Sequence, residues 1–337
     1  MEQALGQHFE QPSTEDYFAT VVHLVEEHAT LPPDAGRALP AEVPRLLRHV
    51  LDADFEALLE RAKRVTNVTC MQPVDTDEGY ELFDDTLLAL PLRPGRACDG
   101  GVCCDACSRV NFPVFATPAE VRFFKEELEF VMAPPFHHFE LSKCAFRDAR
   151  ATLIFVRLVE RMRRAIAHEY GLPLSTIAPV NTFVALFTGE QEKKEGSLHA
   201  DESSFGSFHY SCVMYLTTQH EDFEGGTFNF NDPPPEGDES GERVLTPLSP
   251  RSGSAVIFSS GWENMHEVEP LRSGLRIAVP AFFTTHPAKP PSAATADDGA
   301  IAQELWRTLL CPESPSDFKE FQMNWHDLLA VAPVPAA

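Results

Sequence analysis

The stretch Thr182-Phe183-Val184-Ala185-Leu186-Phe187 (182–187) opens a series of short segments rich in β-branched and aromatic residues. Clusters of glycine, asparagine, aspartate or proline separate most of these segments, as is typical of antiparallel sheets. The other segments of this type are 208–216, 227–230, 255–258 and 276–283. The second half of the chain is therefore predicted to form an antiparallel β-sandwich or barrel.

Helical periodicity precedes the β-rich region. Apolar residues recur three and four positions apart in Asp16 to Glu27, in Pro44 to Ala62 and in Leu153 to Tyr170, which predicts three helices with one apolar face each. Thr117-Pro118-Ala119-Glu120 has an N-cap residue, a proline and a glutamate in the order that predicts a helix start. Residues 1–95 are accordingly interpreted as an acidic helical N-terminal extension.

The charge balance of the 337-residue chain excludes two classes of function. Lys and Arg number 27 against 51 Asp and Glu, which gives a formal net charge of −24. Tracking nucleic-acid phosphates or docking on anionic lipid requires a basic surface, so neither is expected. The start shows no basic and apolar leader, and no window of about 18 residues is apolar enough to span a membrane. The default expectation is a cytoplasmic protein.

A cysteine-rich link is predicted at residues 96–110. Cys98, Cys103, Cys104 and Cys107 lie within ten residues of one another. Three states are compatible with this spacing: disulfides, free thiols, or a zinc site that uses Cys104-x2-Cys107 as one half. The sequence leaves these alternatives open.

The clearest candidate for chemistry is a metal site. In a strand, residues two apart point to one face, so His199 and Asp201 of His199-Ala200-Asp201 can bind the same ion. His266 is the strongest candidate for a third ligand, because it follows the apolar segment 255–258. Two histidines and one carboxylate form the facial triad of non-haem Fe(II) oxygenases. Arg276, ten residues further on, would need an anionic partner inside a small barrel.

The order of these motifs resembles the Fe(II)- and 2-oxoglutarate-dependent dioxygenases of the prolyl 4-hydroxylase type. The shared elements are His199-Ala200-Asp201, Val213-Met214-Tyr215-Leu216, Glu224-Gly225-Gly226-Thr227-Phe228, Leu245-Thr246-Pro247 with Ala255-Val256-Ile257-Phe258, Glu263-Asn264-Met265-His266-Glu267-Val268, and Gly274-Leu275-Arg276. The resemblance covers roughly residues 96–287 and is clearest over 197–287. It implies an α+β fold: a double-stranded β-helix (jelly roll) core with supporting helices, preceded by the helical extension.

The resemblance also implies roles for individual residues. His199, Asp201 and His266 would bind Fe(II), and Arg276 would pair with the distal carboxylate of the cosubstrate 2-oxoglutarate. Tyr215 would offer its phenol to the same cosubstrate. No catalytic side chain beyond this metal centre is implied. O2 is the oxidant, ascorbate the implied reductant, and succinate and CO2 the released products. Asn264 precedes the distal histidine and is a candidate for fixing its orientation.

These observations predict the organisation and function of the whole chain. The dioxygenase domain is placed at 111–287 and a linker with a C-terminal tail at 288–337. The predicted reaction hydroxylates an unactivated C–H bond, with a peptidyl residue such as proline as the leading substrate. Two alternatives remain: a non-catalytic jelly-roll scaffold that retains the pocket, and a cupin-type dioxygenase that does not use 2-oxoglutarate. The resemblance also makes the secretory pathway an alternative compartment.

Overall fold

The structure is a computed structural model, and it describes ten parts of the chain. They are residues 12–29, 40, 42–68, 107–127, 138–140, 149–174, 177–188, 198–201, 208–232 and 244–284. Two predictions lie outside the described residues: the one on Cys98, Cys103 and Cys104, and the one on the tail 288–337.

The predicted helices are confirmed and form one layer. They are α1 (Thr14–Ala29), α2 (Glu42–Leu59), the short α3 (Pro118–Arg122), which continues into a π-helical turn (Phe123–Glu127), and α4 (Ala149–Glu169). The apolar faces found in the sequence are buried, for example at Val21, Val50 and Met162. Both α1 and α2 pack against α4, so the helical extension lies on the same layer as the longest helix.

Two antiparallel sheets carry the β-rich half. The strands are β1 (Arg64–Thr66), β2 (Arg109–Phe112), β3 (His138–Glu140), β4 (Ala178–Thr188), β5 (Tyr210–Tyr215), β6 (Phe223–Gly225), β7 (Phe228–Asp232), β8 (Val244–Leu248), β9 (Ala255–Ser259), β10 (His266–Val268) and β11 (Leu271–Thr284). The larger sheet has the order β1-β2-β9-β5-β11-β4-β3, with β6 paired to β11, and the smaller sheet has the order β10-β7-β8. All five strands predicted from the sequence are present.

The larger sheet has a different core on each face. One face packs on the helices through residues such as Cys212, Met214 and Val279. The alternate residues of the same strands face the smaller sheet and form an inner core with its phenylalanines. This inner core consists of Val213, Tyr215, Phe228, Phe230, Val256, Phe258 and Ala278. The α+β prediction with a jelly-roll core and supporting helices is confirmed.

A buried ion-pair cluster joins the helices. Asp54 on α2 accepts hydrogen bonds from Arg157 and Arg161 on α4. Arg161 also pairs with Glu120 on α3, and Arg157 pairs with Glu15 on α1. Breaking one side of such a buried pair costs about 3–5 kcal/mol. The cluster therefore fixes α1 and α2 to the helix that covers the larger sheet.

Six strands of the described residues were not predicted: β1, β2, β3, β6, β8 and β10. They are three to five residues long, too short for a period of two to be recognised, and β1 is largely exposed. β2 pairs with β9 and brings residues of the predicted cysteine-rich link into the larger sheet. The predicted domain bounds at 95/96 and 110/111 stay predictions. No helix of the described residues is long and apolar enough to cross a membrane.

Candidate metal and cosubstrate site

The three predicted metal ligands meet in one place. His199 and His266 face each other in an antiparallel bridge, and the backbone N–H of each donates to the carbonyl of the other, at 3.0 and 2.9 Å. Oδ1 of Asp201 lies 3.5 Å from Nε2 of His199 and 3.6 Å from Nε2 of His266. The three candidate ligand atoms all lie within 4.8 Å of one another. Two imidazoles and one carboxylate are a donor set suited to Fe(II).

Asp201 presents one oxygen to this site because its other oxygen is occupied. The hydroxyl of Ser211 donates to Oδ2 of Asp201 at 2.6 Å, and Ser260 lies 2.7 Å from Ser211. Burial raises the pKa of Asp201, but His266, His199 and Ser211 outweigh it, and the net pKa is lowered. The charged carboxylate is therefore held with Oδ1 directed at the two imidazoles, where a metal would bind.

His266 is oriented by its backbone neighbour and by aromatic rings. Its Nδ1 lies 2.9 Å from the carbonyl of Asn264, which can only accept, so Nδ1 carries the proton and Nε2 keeps its lone pair. Phe228 stacks on the imidazole with ring centroids 4.8 Å apart, and Phe258 meets it edge-on at 5.2 Å. Burial lowers the pKa of His266, although Asp201 opposes the shift. The neutral imidazole, which binds metals, is thus favoured.

Arg276 and Tyr215 form the second half of the site. Arg276 is 2% exposed, and its Nε donates to the carbonyl of Gly226 at 3.1 Å. No carboxylate of the described residues pairs with its guanidinium. Gly226 has a φ of 61°, and a Cβ there would lie 3.0 Å from the Arg276 side chain, so a glycine is favoured at this position. The guanidinium also lies 5.4 Å from the ring centroid of Phe187.

The phenol of Tyr215 is buried and lies beside this guanidinium. The Cζ atom of Arg276 is 5.5 Å from the Tyr215 ring centroid. The Tyr215 hydroxyl makes no well-aligned hydrogen bond within the part of the chain that the structure describes, although the Arg276 guanidinium lies close enough to interact with it. Burial raises the pKa of Tyr215, so the phenol is neutral and can donate. The Tyr215 hydroxyl is a buried donor, and the Arg276 guanidinium is a buried cation that pairs with no carboxylate of the described residues. Together they fit a carboxylate ligand, such as 2-oxoglutarate would supply.

Asn264 precedes His266 as the sequence indicated, but its side chain forms its hydrogen bonds with residues other than His266. The contact with His266 is made by the Asn264 backbone carbonyl. The side-chain amide donates to Ser259 and to the carbonyl of Cys107, and its oxygen accepts from Arg109 at 2.6 Å. Asn264 therefore fixes the turn that carries the carbonyl.

Sequence reasoning missed Ser211, Ser260 and Arg109. Ser211 lies two and four positions before Val213 and Tyr215, so strand alternation could have placed it on the inner face. Arg109 carried no signal, because it lies 155 residues from Asn264 in the chain.

The structure records a disulfide at one residue of the cysteine-rich link. Cys107 is disulfide-bonded, and its partner lies outside the described residues. Cys212 is a free, buried thiol, as expected for an isolated cysteine of the core.

Comparisons with known proteins show which sequences and structures this chain is similar to. Residues 185–284 match the model of the 2OG-Fe(II) oxygenase superfamily. The chain is 29% identical over 171 residues to 2-oxoglutarate and iron-dependent oxygenase domain-containing protein 3 of Xenopus tropicalis, which covers 49% of this chain and 46% of that protein. It is 34% identical over 104 residues to human prolyl 3-hydroxylase 1, which covers 31% of this chain and 12% of that protein. The chain thus spans less than half the length of these curated relatives.

Among solved structures, the chain is similar to a viral collagen prolyl hydroxylase from Paramecium Bursaria Chlorella virus-1, solved as a 2OG complex. The identity is 15%, the match covers 56% of this chain and all of that one, and the TM-score is 0.39. All three proposed metal ligands and Arg276 lie within the segment matched by the family model. The resemblance recognised in the sequence is confirmed by this match of residues 185–284 to the model of the 2OG-Fe(II) oxygenase superfamily.

Proposed function

We propose that this protein is an Fe(II)- and 2-oxoglutarate-dependent dioxygenase that hydroxylates an unactivated C–H bond of a peptide substrate, with proline as the leading residue. One observation carries the proposal. A convergent His-Asp-His set shares the inside of the jelly roll with a buried arginine and a buried tyrosine hydroxyl. Both side chains lack an anionic partner among the described residues.

Each residue has a defined task in this proposal. His199, Asp201 and His266 bind Fe(II) through Nε2, Oδ1 and Nε2. Arg276 binds the distal carboxylate of 2-oxoglutarate as a bidentate donor, and Tyr215 donates to the same cosubstrate. Iron, 2-oxoglutarate and O2 supply the oxidative chemistry when bound, with succinate and CO2 as products.

The surrounding phenylalanines keep water from the buried side of the site. Phe228, Phe230 and Phe258 enclose His266, while the side chain of His199 is 38% exposed. The site is thus apolar behind His266 and open beside His199. We infer that the substrate approaches from the His199 side, because the inner core fills the opposite side.

The peptide substrate and the reductant rest on the resemblance. Human prolyl 3-hydroxylase 1 and the viral collagen prolyl hydroxylase are hydroxylases by name. With a net charge of −24, the chain favours a neutral or basic peptide over an acidic one. Ascorbate is proposed as the reductant.

We also infer an oxidising compartment. Disulfides persist in the secretory pathway and are rare in the cytosol, and Cys107 is disulfide-bonded. This favours the secretory alternative over the cytoplasmic default. Alkylation of the native protein before and after reduction, read by mass spectrometry, tests it; a reduced Cys107 in protein isolated from cells would contradict it.

Turnover of 2-oxoglutarate with Fe(II) tests the function. Succinate is measured for the wild type, Asp201→Ala and Arg276→Met, with Arg272→Met as a matched control because Arg272 lies on the same strand and is 70% exposed. We expect Asp201→Ala and Arg276→Met to lose turnover and Arg272→Met to keep it. Equal succinate formation by wild type and Asp201→Ala would overturn the proposal.

The same variants separate the alternatives. If Arg276→Met keeps its iron and keeps dioxygenase turnover without 2-oxoglutarate, the cupin-type alternative is favoured. Metal and 2-oxoglutarate binding by the wild type without any turnover favours the scaffold alternative. Peptides incubated with the enzyme, and searched by mass spectrometry for the added mass of one oxygen atom, identify the substrate.

A further inference from the structure

Arg109 is a buried arginine that lies outside the family match, yet reaches the metal site through one intermediate residue. It lies on β2, is 4% exposed, and places its guanidinium 3.8 Å from the ring centroid of Phe230. Asn111, two positions after Arg109 on the same strand, pairs with Val256 of the inner core. Because side chains two apart in a strand point to the same face, the Arg109 side chain also faces the inner core.

All three nitrogens of the guanidinium are used, and they join two elements. Nε donates to Oδ1 of Asn264 at 2.6 Å. The two terminal nitrogens make a bidentate contact with Asp232 on β7, and one of them also reaches the carbonyl of Glu263 at 3.3 Å. The turn Trp262–Asn264 is thereby fastened to β7, the strand that pairs with β10.

This fastened turn carries the carbonyl that orients a proposed metal ligand. The Asn264 carbonyl accepts the Nδ1 proton of His266 at 2.9 Å, which directs Nε2 toward Asp201. The hydrogen bonds of Arg109 go to Asn264, Asp232 and Glu263 and not to the proposed ligands, although its charge also acts on His266 directly. The hydrogen-bonded connection from Arg109 to His266 passes through Asn264 and the backbone of the turn.

We propose that Arg109 is a positioning residue for the metal site: by clamping the Trp262–Asn264 turn to β7, it fixes the imidazole of His266 in its ligating orientation. The proposal rests on His266 being a metal ligand, as in the proposed function. It adds a residue from the segment that the sequence assigned to the cysteine-rich link. That segment thus acts on the site from outside the matched domain.

The affinity of the full chain for Co(II) tests this without turnover. Removing a group that orients a metal ligand typically weakens metal binding about 10–100-fold. We expect Arg109→Met to raise the Co(II) dissociation constant by this factor and to alter the Co(II) absorption bands. Arg109→Lys should bind Co(II) nearly as weakly as Arg109→Met does. Its ammonium group keeps the charge but cannot make the contacts of all three guanidinium nitrogens.

Arg157→Met is the matched control for lost stability. Arg157 is also a buried arginine with a bidentate carboxylate contact, but it lies on α4 among the helices. We expect this variant to be destabilised comparably and to bind Co(II) as the wild type does. Weakened Co(II) binding in Arg157→Met equal to that in Arg109→Met would overturn the proposal, because general loosening would explain both.

A double-mutant cycle with Asn264→Ala tests the route. If Arg109 acts through Asn264, Arg109→Met should add little to the loss already caused by Asn264→Ala. Fully additive losses would overturn that route. Should Arg109→Met fail to fold, Arg109→Lys carries the same comparison, and wild-type affinity in Arg109→Lys would contradict the clamp. A wild type that binds no Co(II) would instead overturn the proposed function itself.

Discussion

His199 and His266, 67 positions apart in the chain, exchange both backbone hydrogen bonds of an antiparallel bridge. Directly opposite residues of such a bridge point their side chains to the same face. The two imidazoles are therefore brought together by backbone pairing, with ring centroids 4.4 Å apart. The relative position of two proposed ligands is thus a property of the sheet.

The two histidines should differ in what they contribute to stability. His266 is buried against Phe228 and Phe258, whereas the His199 side chain is 38% exposed. We expect His266→Ala to lower the free energy of unfolding of the metal-free protein by about 2–4 kcal/mol, because it opens a cavity. His199→Ala should cost less than about 1 kcal/mol. Urea denaturation measures both, and equal losses would contradict the described burial.

Ser211 should control metal affinity through Asp201. Its hydroxyl occupies Oδ2, so Ser211→Ala frees the carboxylate to rotate and should weaken Co(II) binding about 10–100-fold. Cys212→Ala is the control, because Cys212 is adjacent in the chain and packs in the helix-facing core. Titration by absorption spectroscopy gives both affinities. Unchanged affinity in Ser211→Ala would show that Asp201 needs no such support.

Tyr215 should serve cosubstrate binding and not stability. Tyr215→Phe removes a buried hydroxyl that lies beside the Arg276 guanidinium without a well-aligned hydrogen bond, so the unfolding free energy should change little. The affinity of the metal-loaded protein for 2-oxoglutarate should fall about 5–10-fold, the equivalent of one hydrogen bond of about 1 kcal/mol. Calorimetry checks the affinity. A loss of stability without a loss of affinity would assign Tyr215 to the core alone.

Glu120 should make the fold sensitive to acid. Burial opposes its ionisation, but Arg161 and Thr117 outweigh this and lower its pKa from 4.5 to about 2. A lowered folded-state pKa gives stability that is present above about pH 4.5 and is lost as the pH falls toward 2. The shift corresponds to about 3 kcal/mol.

Denaturation at pH 5 and pH 3 tests this linkage. The wild type should lose most of this increment between the two values, and Glu120→Gln should lose less. Glu56→Gln, at an exposed position of α2, should behave as the wild type does. An identical loss in wild type and Glu120→Gln would mean that Glu120 is not the group responsible.

The ligands could be predicted from the sequence because their signals are local or ordered along the chain. His199 and Asp201 are two apart in the chain, and His266 and Arg276 follow at the spacing of the resembling family. The strand expected at His199-Ala200-Asp201 is not formed: His199 makes an isolated bridge with His266, and Asp201 lies in a 3-10 turn. The long helices and apolar strands were predictable for the same reason: their periods extend over many residues.

The supporting contacts could not be predicted because they depend on tertiary pairing. Arg109 contacts Asn264 only after β2 has paired with β9, and the sequence of a four-residue strand does not predict the register of that pairing. For Asn264, the sequence indicated the right residue. It did not show that the hydrogen bond to His266 is made by the backbone carbonyl of Asn264. Ser211 lies on the correct face by alternation, yet a serine in a strand has many ordinary roles.

The most direct test of the central claim is anaerobic addition of 2-oxoglutarate to the Fe(II)-loaded protein, followed by visible absorption. Chelation of Fe(II) by the keto acid produces a charge-transfer band that needs no substrate and no turnover. We predict that the wild type and Arg272→Met develop this band, that Asp201→Ala does not, and that Arg276→Met needs far more 2-oxoglutarate. A band of equal strength in Asp201→Ala, or none in the wild type, would contradict the assignment of this site.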